Sequence, residues 1–452
     1  MPVRTRGARP ALIGVVLAAL VLVLVGPCVA TAGSRPRVAT AAGPRRPPGA
    51  SGGVGVRPSP GGGDSAPRSV HPALASGDPL SGRAMWIWEL AFAGHGDPRT
   101  IARTARLYGI ATVIVKSSDG TRGWSQFSRP LVEALHAVGL RVCAWQYVYG
   151  NHPLREADLG AGAVRLGADC LVIDAESEYQ GKYVSAQRYL ERLRSQIGAG
   201  YPLALAGLPY VDYHPAFPYS VFLGPDGAQD NMPQMYWKDI GVTVDRVFAH
   251  TYAYNLIYGR PIYPLGQVYS HPPARQIVRF RELARAYGAS GVSWWDWQEA
   301  SHRAWLAVSR PAGVLSGYVP YEALATIRRR AVGDLVVWAQ EHLVSAGYDI
   351  AVDGRFWRLT WQAVLAFQAA HGLTADGVIG PETWAALLRY APVRVIWGDG
   401  NPRPAVAAGA RAGARAARVL ALPPPASAGA PAQRDELAGS PGAGAPSAGH
   451  PR

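Results

Sequence analysis

The sequence has few residues of the kinds that metal and thiol chemistry require. Three cysteines and eleven histidines are spread over 452 residues. There is no His-Glu-x-x-His or Ser-x-x-Lys motif, and no cysteine stands beside a histidine in a catalytic arrangement. One Gly-x-Ser-x-Gly match occurs, at 49–53, but it lies in a Pro/Gly-rich stretch without a strand or helix pattern. These absences argue against a zinc peptidase and against an enzyme that transfers acyl groups through a catalytic serine or cysteine. We expect no metal site and no cofactor.

Lysine is also scarce, and the basic charge is unevenly distributed. Lys116, Lys182 and Lys238 are the only lysines, and the formal net charge of +14 is otherwise carried by arginine. Most of this excess lies in residues 1–80 and 391–452, whereas 81–390 is nearly balanced. The pattern suits loose attraction to polyanions such as wall polymers or lipid headgroups. No nucleic-acid-binding module pattern occurs, so we expect no nucleic-acid partner.

The first 32 residues have the three-part layout of an export signal. Arg4, Arg6 and Arg9 precede an apolar run over 11–26, and Ala30-Thr31-Ala32 offers a cleavage site. An uncleaved membrane anchor is the alternative, because the run is somewhat long. We therefore expect a secreted or wall-associated protein that contacts membrane only through this segment.

Two stretches have compositions that cannot form a packed core. Residues 33–80 are rich in Pro, Gly, Ser and Ala, and residues 400–452 are similar. We predict a disordered linker and a disordered tail. Of the cysteines left after cleavage, Cys143 and Cys170 lie on consecutive candidate strands, where we expect buried thiols rather than a disulfide.

Between these stretches, short apolar runs alternate with amphipathic helical patterns. The candidate strands are 85–89, 112–116, 141–147, 170–176, 203–208, 234–237, 262–267 and 292–297. Helical patterns cover 100–108, 131–138, 186–197 and 275–287. The series predicts an α/β fold, a (β/α)8 TIM-type barrel over 81–312. An open parallel sheet is the alternative, although no Gly-rich phosphate loop follows the first strand.

Carboxylates and aromatic residues gather where these strands end. Asp174 and Glu176 occupy alternate positions at the end of strand four, so both should point to one side. In such a barrel the carboxyl ends of the strands form the active site. Aromatic faces stack on sugar rings, while acids and amides bind hydroxyl groups. We predict a sugar site that also includes Trp88, Glu89, Asp119, Gln146, Tyr236, Trp237, Trp295 and Asp296.

The barrel segment resembles glycoside hydrolases that cut N-acetylated glycans. Asp174-x-Glu176 is similar to the strand-four pair of family 25 lysozymes and to the end of the family 18 chitinase signature. Asp169 fits that signature too, but Val172 replaces one of its aspartates. Gln234-Met235-Tyr236 is similar to the strand-six motif of family 18, where Trp237 stands in place of an aspartate. The departures argue against a standard chitinase.

The resemblance implies roles for the two carboxylates. Glu176 would be the general acid. Asp174 would orient a substrate N-acetyl group that attacks the anomeric carbon, a known exception to the two-carboxylate scheme. The alternative is a second carboxylate across the site, namely Asp296, Glu89 or Asp119, acting as nucleophile or base. Tyr236 would donate to the acetamido group or to a carboxylate, or would be a core residue.

A repeat of 23 residues marks a second module, which we place at 325–392. Asp353-Gly354 is followed by Thr360, and Asp376-Gly377 by Thr383, at the same spacing. Each Asp-Gly predicts a turn, and each Thr lies where a helix begins. The helical patterns cover 335–346, 360–370 and 382–388, which predicts a small three-helix domain.

This module closely resembles the type 1 peptidoglycan-binding domain. The matching motifs are Ala363-Val364-x-x-Phe367-Gln368 and Gly377-Val378-Ile379-Gly380-Pro381-x-Thr383-Trp384. Trp357 and Ala339 depart from the usual Gly and Leu. The resemblance implies binding to peptidoglycan or a related glycan.

Two functions from different classes fit the sequence. The first is an exported, wall-targeted glycoside hydrolase that acts on N-acetylated glycan, preferably peptidoglycan. The second is a noncatalytic wall-binding protein with a degenerate barrel. A wall peptidase is a third and weaker alternative, because the peptidase motifs are absent.

Overall fold

The computed structural model describes residues 37–39, 77–321 and 323–398. Its largest unit is built from eight parallel strands, β1 to β8. They are Gly82–Ile87, Thr112–Asp119, Arg141–Val148, Cys170–Ala175, Leu203–Ala206, Asp230–Asn231, Leu265–Gln267 and Gly291–Trp295. Each strand pairs with the next, β8 pairs with β1, and two single pairings join β6 to β7. The sheet therefore closes into the predicted (β/α)8 barrel, which rules out the open sheet.

Helices cover the outside of the barrel. They are α1 to α9, namely Pro98–Tyr108, Arg129–Ala137, Pro153–Arg165, Tyr183–Ile197, Tyr219–Phe222, Trp237–Ile240, Val244–Asn255, Ala274–Ala286 and His302–Ser309. Asp97 caps α1 by accepting from the backbone N–H groups of Arg99 and Thr100, and Gly109 ends it in a left-handed conformation. Apolar residues on alternate strand positions pack against these helices, and the others fill the barrel.

The sixth strand is shorter than predicted. We expected a strand over 234–237, but β6 covers Asp230–Asn231 and Gln234 adds one pairing with Leu265. Pro233 lacks a backbone N–H, which interrupts the ladder at this point. The chain then turns at once into α6, which begins at Trp237.

The two cysteines form a disulfide, so the prediction of free thiols is wrong. Cys143 and Cys170 are direct neighbours on β3 and β4, with Cα atoms 4.6 Å apart. Both side chains point into the barrel interior. The register between the strands brings the sulfur atoms together, and this register cannot be read from either strand alone.

The C-terminal domain contains three helices, as predicted. They are α10 (Asp334–Ser345), α11 (Arg358–Ala370) and α12 (Pro381–Leu387). In the first repeat, Gln340 accepts from the backbone N–H groups of Asp353 and Gly354 and donates to Thr360 Oγ1 at 2.9 Å. Gln368 accepts from Gly377 and donates to Thr383 in the second repeat. A buried glutamine therefore ties each Asp-Gly turn to the start of a helix.

A buried carboxylate joins this domain to the barrel. Asp334 at the start of α10 accepts from the backbone N–H and hydroxyl of Ser220 at 2.8 and 2.7 Å, and from the Tyr258 hydroxyl at 2.8 Å. The Trp338 indole N–H donates to the Ile257 carbonyl at 2.7 Å. Burial raises the pKa of Asp334 to about 6. The contacts hold the two domains against each other.

The predicted linker contains a short strand. Within the stretch for which we predict a disordered linker, 33–80, Arg37–Ala39 pairs antiparallel with Arg394–Ile396. Main-chain pairing along an open strand edge needs no side-chain period, so the sequence pattern gave no sign of it. The predicted signal segment and the tail over 400–452 lie outside the described residues. No helix in 77–321 or 323–398 is long and apolar enough to cross a membrane.

The disulfide should contribute measurably to stability. It closes a loop of 27 residues, for which loop-closure entropy predicts about 3.5 kcal/mol. We expect a Cys143→Ser/Cys170→Ser variant to unfold at a lower urea concentration than the wild type. The matched control is the same comparison under reducing conditions, where the difference should nearly vanish. Equal midpoints under oxidising conditions would contradict the disulfide.

Candidate active site

Two carboxylates project from the end of β4 into the mouth of the barrel. Val172 fills the interior one layer below, and Asp174 follows on the same side. Asp174 is buried, with 6% of its surface exposed, whereas Glu176 is half-buried just beyond the strand. The sequence predicted this pair, and the structure places it at the carboxyl end of the barrel.

One amide group contacts both carboxylates. Gln234 Nε2 donates to Asp174 Oδ1 at 2.9 Å and to Glu176 Oε1 at 3.0 Å. Asp174 Oδ1 and Glu176 Oε1 are therefore less than 6 Å apart. In inverting glycosidases the two catalytic carboxyl groups are separated by at least roughly 6.5 Å. Gln234 follows Pro233, and its pairing with Leu265 fixes the backbone at this position.

The surroundings of the pair favour its protonated forms. Burial and the neighbouring Glu176 charge raise the pKa of Asp174 well above its usual value. Burial raises the pKa of Glu176 as well, while the hydrogen bond from Gln234 lowers it. Two carboxylates this close cannot easily both be ionised, so one proton is readily retained.

A second polar cluster lies on β2 and β3. Lys116 Nζ donates to Asp119 Oδ2 at 2.7 Å, and the Tyr149 hydroxyl donates to Asp119 Oδ1 at 3.0 Å. The Tyr147 hydroxyl donates to Glu178 Oε2 at 3.0 Å. Asp119, predicted as a site residue, is therefore held in place by a lysine and a tyrosine.

Tryptophans form the floor of the site. The rings of Trp86, Trp145 and Trp295 contact one another with centroids 5.3 to 5.6 Å apart. Trp295, one of the predicted site residues, is half-buried and packs on the interior side of the barrel. Trp88 is also half-buried on the interior side, and Glu89 follows it at the start of a single helical turn, Leu90–Phe92.

Tyr236 and Asp296 are the remaining predicted site residues on this side of the barrel. Burial raises the pKa of Tyr236 well above its usual value, and the charges of Asp174, Glu176 and Asp296 add to this. Asp296 is 1% exposed and accepts from the Glu299 N–H at 3.2 Å. Burial raises the pKa of Asp296 to about 7.

Two predicted residues point away from the site. Gln146 is fully buried and donates to the Glu156 carbonyl of α3 at 3.2 Å. Its neighbours Trp145 and Tyr147 face inward, so alternation turns Gln146 outward. The Trp237 indole donates to Gln276 Oε1 at 3.0 Å and packs on Phe280 of α8. It does so because the chain has already entered α6.

Several residues at the mouth were missing from the predicted site. Gln234 appeared only within a motif, and Lys116, Tyr147, Tyr149 and Glu178 were not included. A signal existed for Lys116, because a lysine inside an apolar strand is unusual. The contact of Gln234 with both carboxylates depends on barrel closure, which sequence does not specify. Within the described ranges no group of His, Cys, Asp and Glu is placed to hold a metal ion.

Comparison with known proteins identifies the C-terminal domain. Residues 332–387 match the family model described as a putative peptidoglycan binding domain, which confirms the predicted module. A peptidoglycan-binding protein from Clostridioides difficile, solved with glutamine hydroxamate, is 43% identical over 14% of this chain, with a TM-score of 0.14. The match spans 40% of that protein's length. No curated protein matches this chain.

The barrel has solved structural neighbours at low sequence identity. A GH18 chitinase from Pseudoalteromonas aurantia is 13% identical over 50% of this chain and 97% of its own, with a TM-score of 0.39. The spore cortex-lytic enzyme SleL from Bacillus cereus is 11% identical over 50% and 73%, with a TM-score of 0.37. Similarity at this level carries no information on activity.

The shared amide gives a test that does not depend on activity. Replacing Gln234 by Leu removes the hydrogen bond that lowers the pKa of Glu176. We expect the carboxyl ¹³C signal of Glu176 to titrate at higher pH in this variant. The control is Gln196→Leu on the outer surface of α4, which should leave the titration unchanged. An unaltered Glu176 titration in Gln234→Leu would show that the amide does not contact Glu176.

Proposed function

We propose that this protein is a wall-targeted glycoside hydrolase that acts on N-acetylated glycan, with peptidoglycan as the preferred substrate. The observation that supports it best is the pair Asp174 and Glu176, joined by Gln234 at the mouth of a barrel. Paired carboxyls whose environment retains one proton suit acid catalysis on a glycosidic bond. The domain at 332–387 supplies the attachment to peptidoglycan.

Glu176 is the general acid in this proposal. It is half-buried at the mouth, where a glycosidic oxygen can approach, and burial raises its pKa, which favours the protonated carboxyl that a general acid needs. It gives this proton to the leaving-group oxygen as the glycosidic bond breaks. The resulting carboxylate then takes a proton from the water that attacks the anomeric carbon.

The nucleophile is the substrate's own acetamido oxygen. Asp174 and Glu176 extend from one strand and share one donor, so both approach a bound sugar from the same side. Asp174 then accepts from the acetamido N–H and steers the acetamido oxygen to the anomeric carbon. Such substrate assistance needs no second carboxylate on the opposite face and gives retention of configuration.

The other carboxylates are less suited to act as nucleophile or base. Asp296 is almost fully enclosed. Asp119 is occupied by Lys116 and Tyr149. Glu89, half-buried after β1, is the remaining candidate for a two-carboxylate scheme.

Attachment of the wall-binding domain to the barrel supports the same function. Asp334 and Trp338 anchor α10 on the barrel segment that contains Ser220 and Ile257. Binding of the C-terminal domain to the wall would therefore hold the barrel close to the glycan. Export is part of the proposal. The predicted signal segment would carry the protein across the membrane, and the wall-binding module would hold it at the wall outside.

A noncatalytic wall-binding protein is the second candidate. The tryptophans that fill the barrel floor would be its supporting feature, because Trp86, Trp145 and Trp295 leave little depth below the pair. The contact to Gln234 favours the enzyme, since a neutral amide leaves the carboxyls free to exchange a proton, whereas arginine partners would fix both as anions.

The test is release of reducing ends from purified peptidoglycan by the whole protein, its Glu176→Gln variant and its Glu133→Gln variant. We expect Glu176→Gln to lose about 10²- to 10⁴-fold in rate, the range of general acid catalysis. Glu133, exposed on α2 outside the barrel, is the matched control and should leave the rate unchanged. All three should sediment with the wall equally, because the C-terminal domain is unchanged.

Two outcomes would contradict the proposal. Equal release by wild type and Glu176→Gln would mean that another residue is the acid. Sedimentation of all three proteins without any release would favour the noncatalytic candidate.

A further inference from the structure

The C-terminal domain contains a short antiparallel pairing between the segments before α10 and before α11. Val332 pairs with Arg355, and the Arg330 N–H donates to the Phe356 carbonyl at 2.8 Å. Phe356 is fully buried, whereas its neighbours Arg355 and Trp357 are exposed. The pairing therefore has an inner apolar side and an outer side that solvent reaches.

Positive charge is concentrated in and beside these paired segments. The arginine cluster consists of five exposed residues, Arg328, Arg329, Arg330, Arg355 and Arg358. In the part of the chain that the structure describes, none of the five forms a salt bridge with a carboxylate. The half-buried carboxylate beside them, Asp353, accepts instead from Gln340 Nε2 and from the Arg355 backbone N–H, both at 2.9 Å. The guanidinium groups of the cluster are therefore available to an external anion.

Two tryptophans lie next to the arginine cluster. Trp357 is 44% exposed, and Trp361 is half-buried four residues further on, so both lie on one face at the start of α11. Arg329 lies over the Trp361 ring, 5.3 Å from its centroid. Val332 and Leu359 are 57% and 59% exposed and extend the apolar area. Because Trp357 replaces the Gly that is usual in this module, the fold itself does not require its exposed ring.

Exposed guanidinium groups beside an indole ring suit a polymer that contains both phosphate groups and sugars. A guanidinium group binds phosphate through paired N–H donors. The apolar face of an indole covers the apolar face of a sugar ring. A neutral glycan would occupy the ring but leave the arginines without partners. A polymer with a phosphate in every unit can instead reach several arginines at once.

We propose that the arginine cluster and Trp357 form a second wall-binding surface, whose partner is a phosphodiester-linked sugar polymer of the bacterial wall. The surface lies beside the barrel, because the Asp334 N–H donates to the Pro215 carbonyl in the loop after β5 at 2.7 Å. Loops that follow the strands surround the mouth of a barrel. A polymer held on this surface would therefore fix the mouth against the wall. The proposal concerns binding and does not depend on hydrolysis by the barrel.

The experiment measures sedimentation of the whole protein with two preparations of one Gram-positive cell wall. One preparation is intact, and the other has been stripped of phosphodiester polymers by hydrofluoric acid. We expect the wild type to bind the intact wall at least about tenfold more tightly, the effect of one or two charge-assisted hydrogen bonds. The variant Arg330→Gln/Arg355→Gln/Arg358→Gln should lose most of this preference and still sediment with the stripped wall.

A matched control separates the arginine cluster from net charge. The variant Arg99→Gln/Arg103→Gln/Arg303→Gln removes the same charge from exposed positions on α1 and α9, and it should bind both walls as the wild type does.

Trp357→Ala tests the contact with sugar. We expect weaker binding to the intact wall and an unchanged dependence on salt. The triple arginine variant should instead lose most of its salt dependence, because salt screens charge–charge attraction. Since Trp357 and the three arginines are exposed, thermal unfolding midpoints close to that of the wild type should show that each variant is folded.

Three outcomes would overturn the proposal. If the wild type bound both walls equally, phosphodiester polymers would not be the partner. If the triple arginine variant kept the preference of the wild type, the basic ends of the chain would be its cause. If this variant lost binding to both walls equally, the arginines would bind peptidoglycan itself. A preference that depends on the arginine cluster would stand even if the barrel released no sugar, so the proposed function can fail separately.

Discussion

The arrangement at the barrel mouth depends on the burial of Asp174. A carboxylate in an apolar interior is unstable unless hydrogen bonds and charges compensate. Gln234 supplies the hydrogen bond at 2.9 Å, and Lys116 supplies a charge that is itself held by three indole rings and Asp119. Glu176 shares the same amide and contributes a like charge. Glu176 and Lys116 therefore act in opposite directions on the pKa of Asp174.

A disulfide and buried interdomain hydrogen bonds stabilise the scaffold around Asp174, Glu176 and Gln234. β3 and β4, which bear Tyr147 and Asp174, are joined by the disulfide between Cys143 and Cys170 in the barrel interior. The C-terminal domain is held on the outside through Asp334, whose carboxylate accepts from Ser220 and Tyr258. In the proposed function, carboxyl groups held at a strand end and a binding domain in fixed contact would give a rigid support for acting on an insoluble glycan.

Sequence periodicity was sufficient to predict the barrel, the projection of Asp174 and Glu176 from the end of strand four, and the repeated Asp-Gly turns at 353 and 376. These features depend on local patterns that repeat every two or every few residues. The same alternation could have excluded Gln146, since it lies between two inward-facing residues of β3. The outward position of Trp237 could not be predicted, because it depends on the interruption of the strand at Pro233. The disulfide could not be predicted, because it depends on the register between β3 and β4. Gln234 reaches Asp174 and Glu176 only because the barrel brings the segment after β6 beside the end of β4.

The central claim is that the substrate's acetamido group, steered by Asp174, is the nucleophile. The most direct measurement is ¹H NMR of the first reducing ends released from a β-linked N-acetylglucosamine oligomer or from peptidoglycan glycan strands. Substrate assistance predicts that the β-anomer forms first and then mutarotates. Initial appearance of the α-anomer would contradict the account, because inversion requires a base on the opposite face that Asp174 and Glu176 cannot provide.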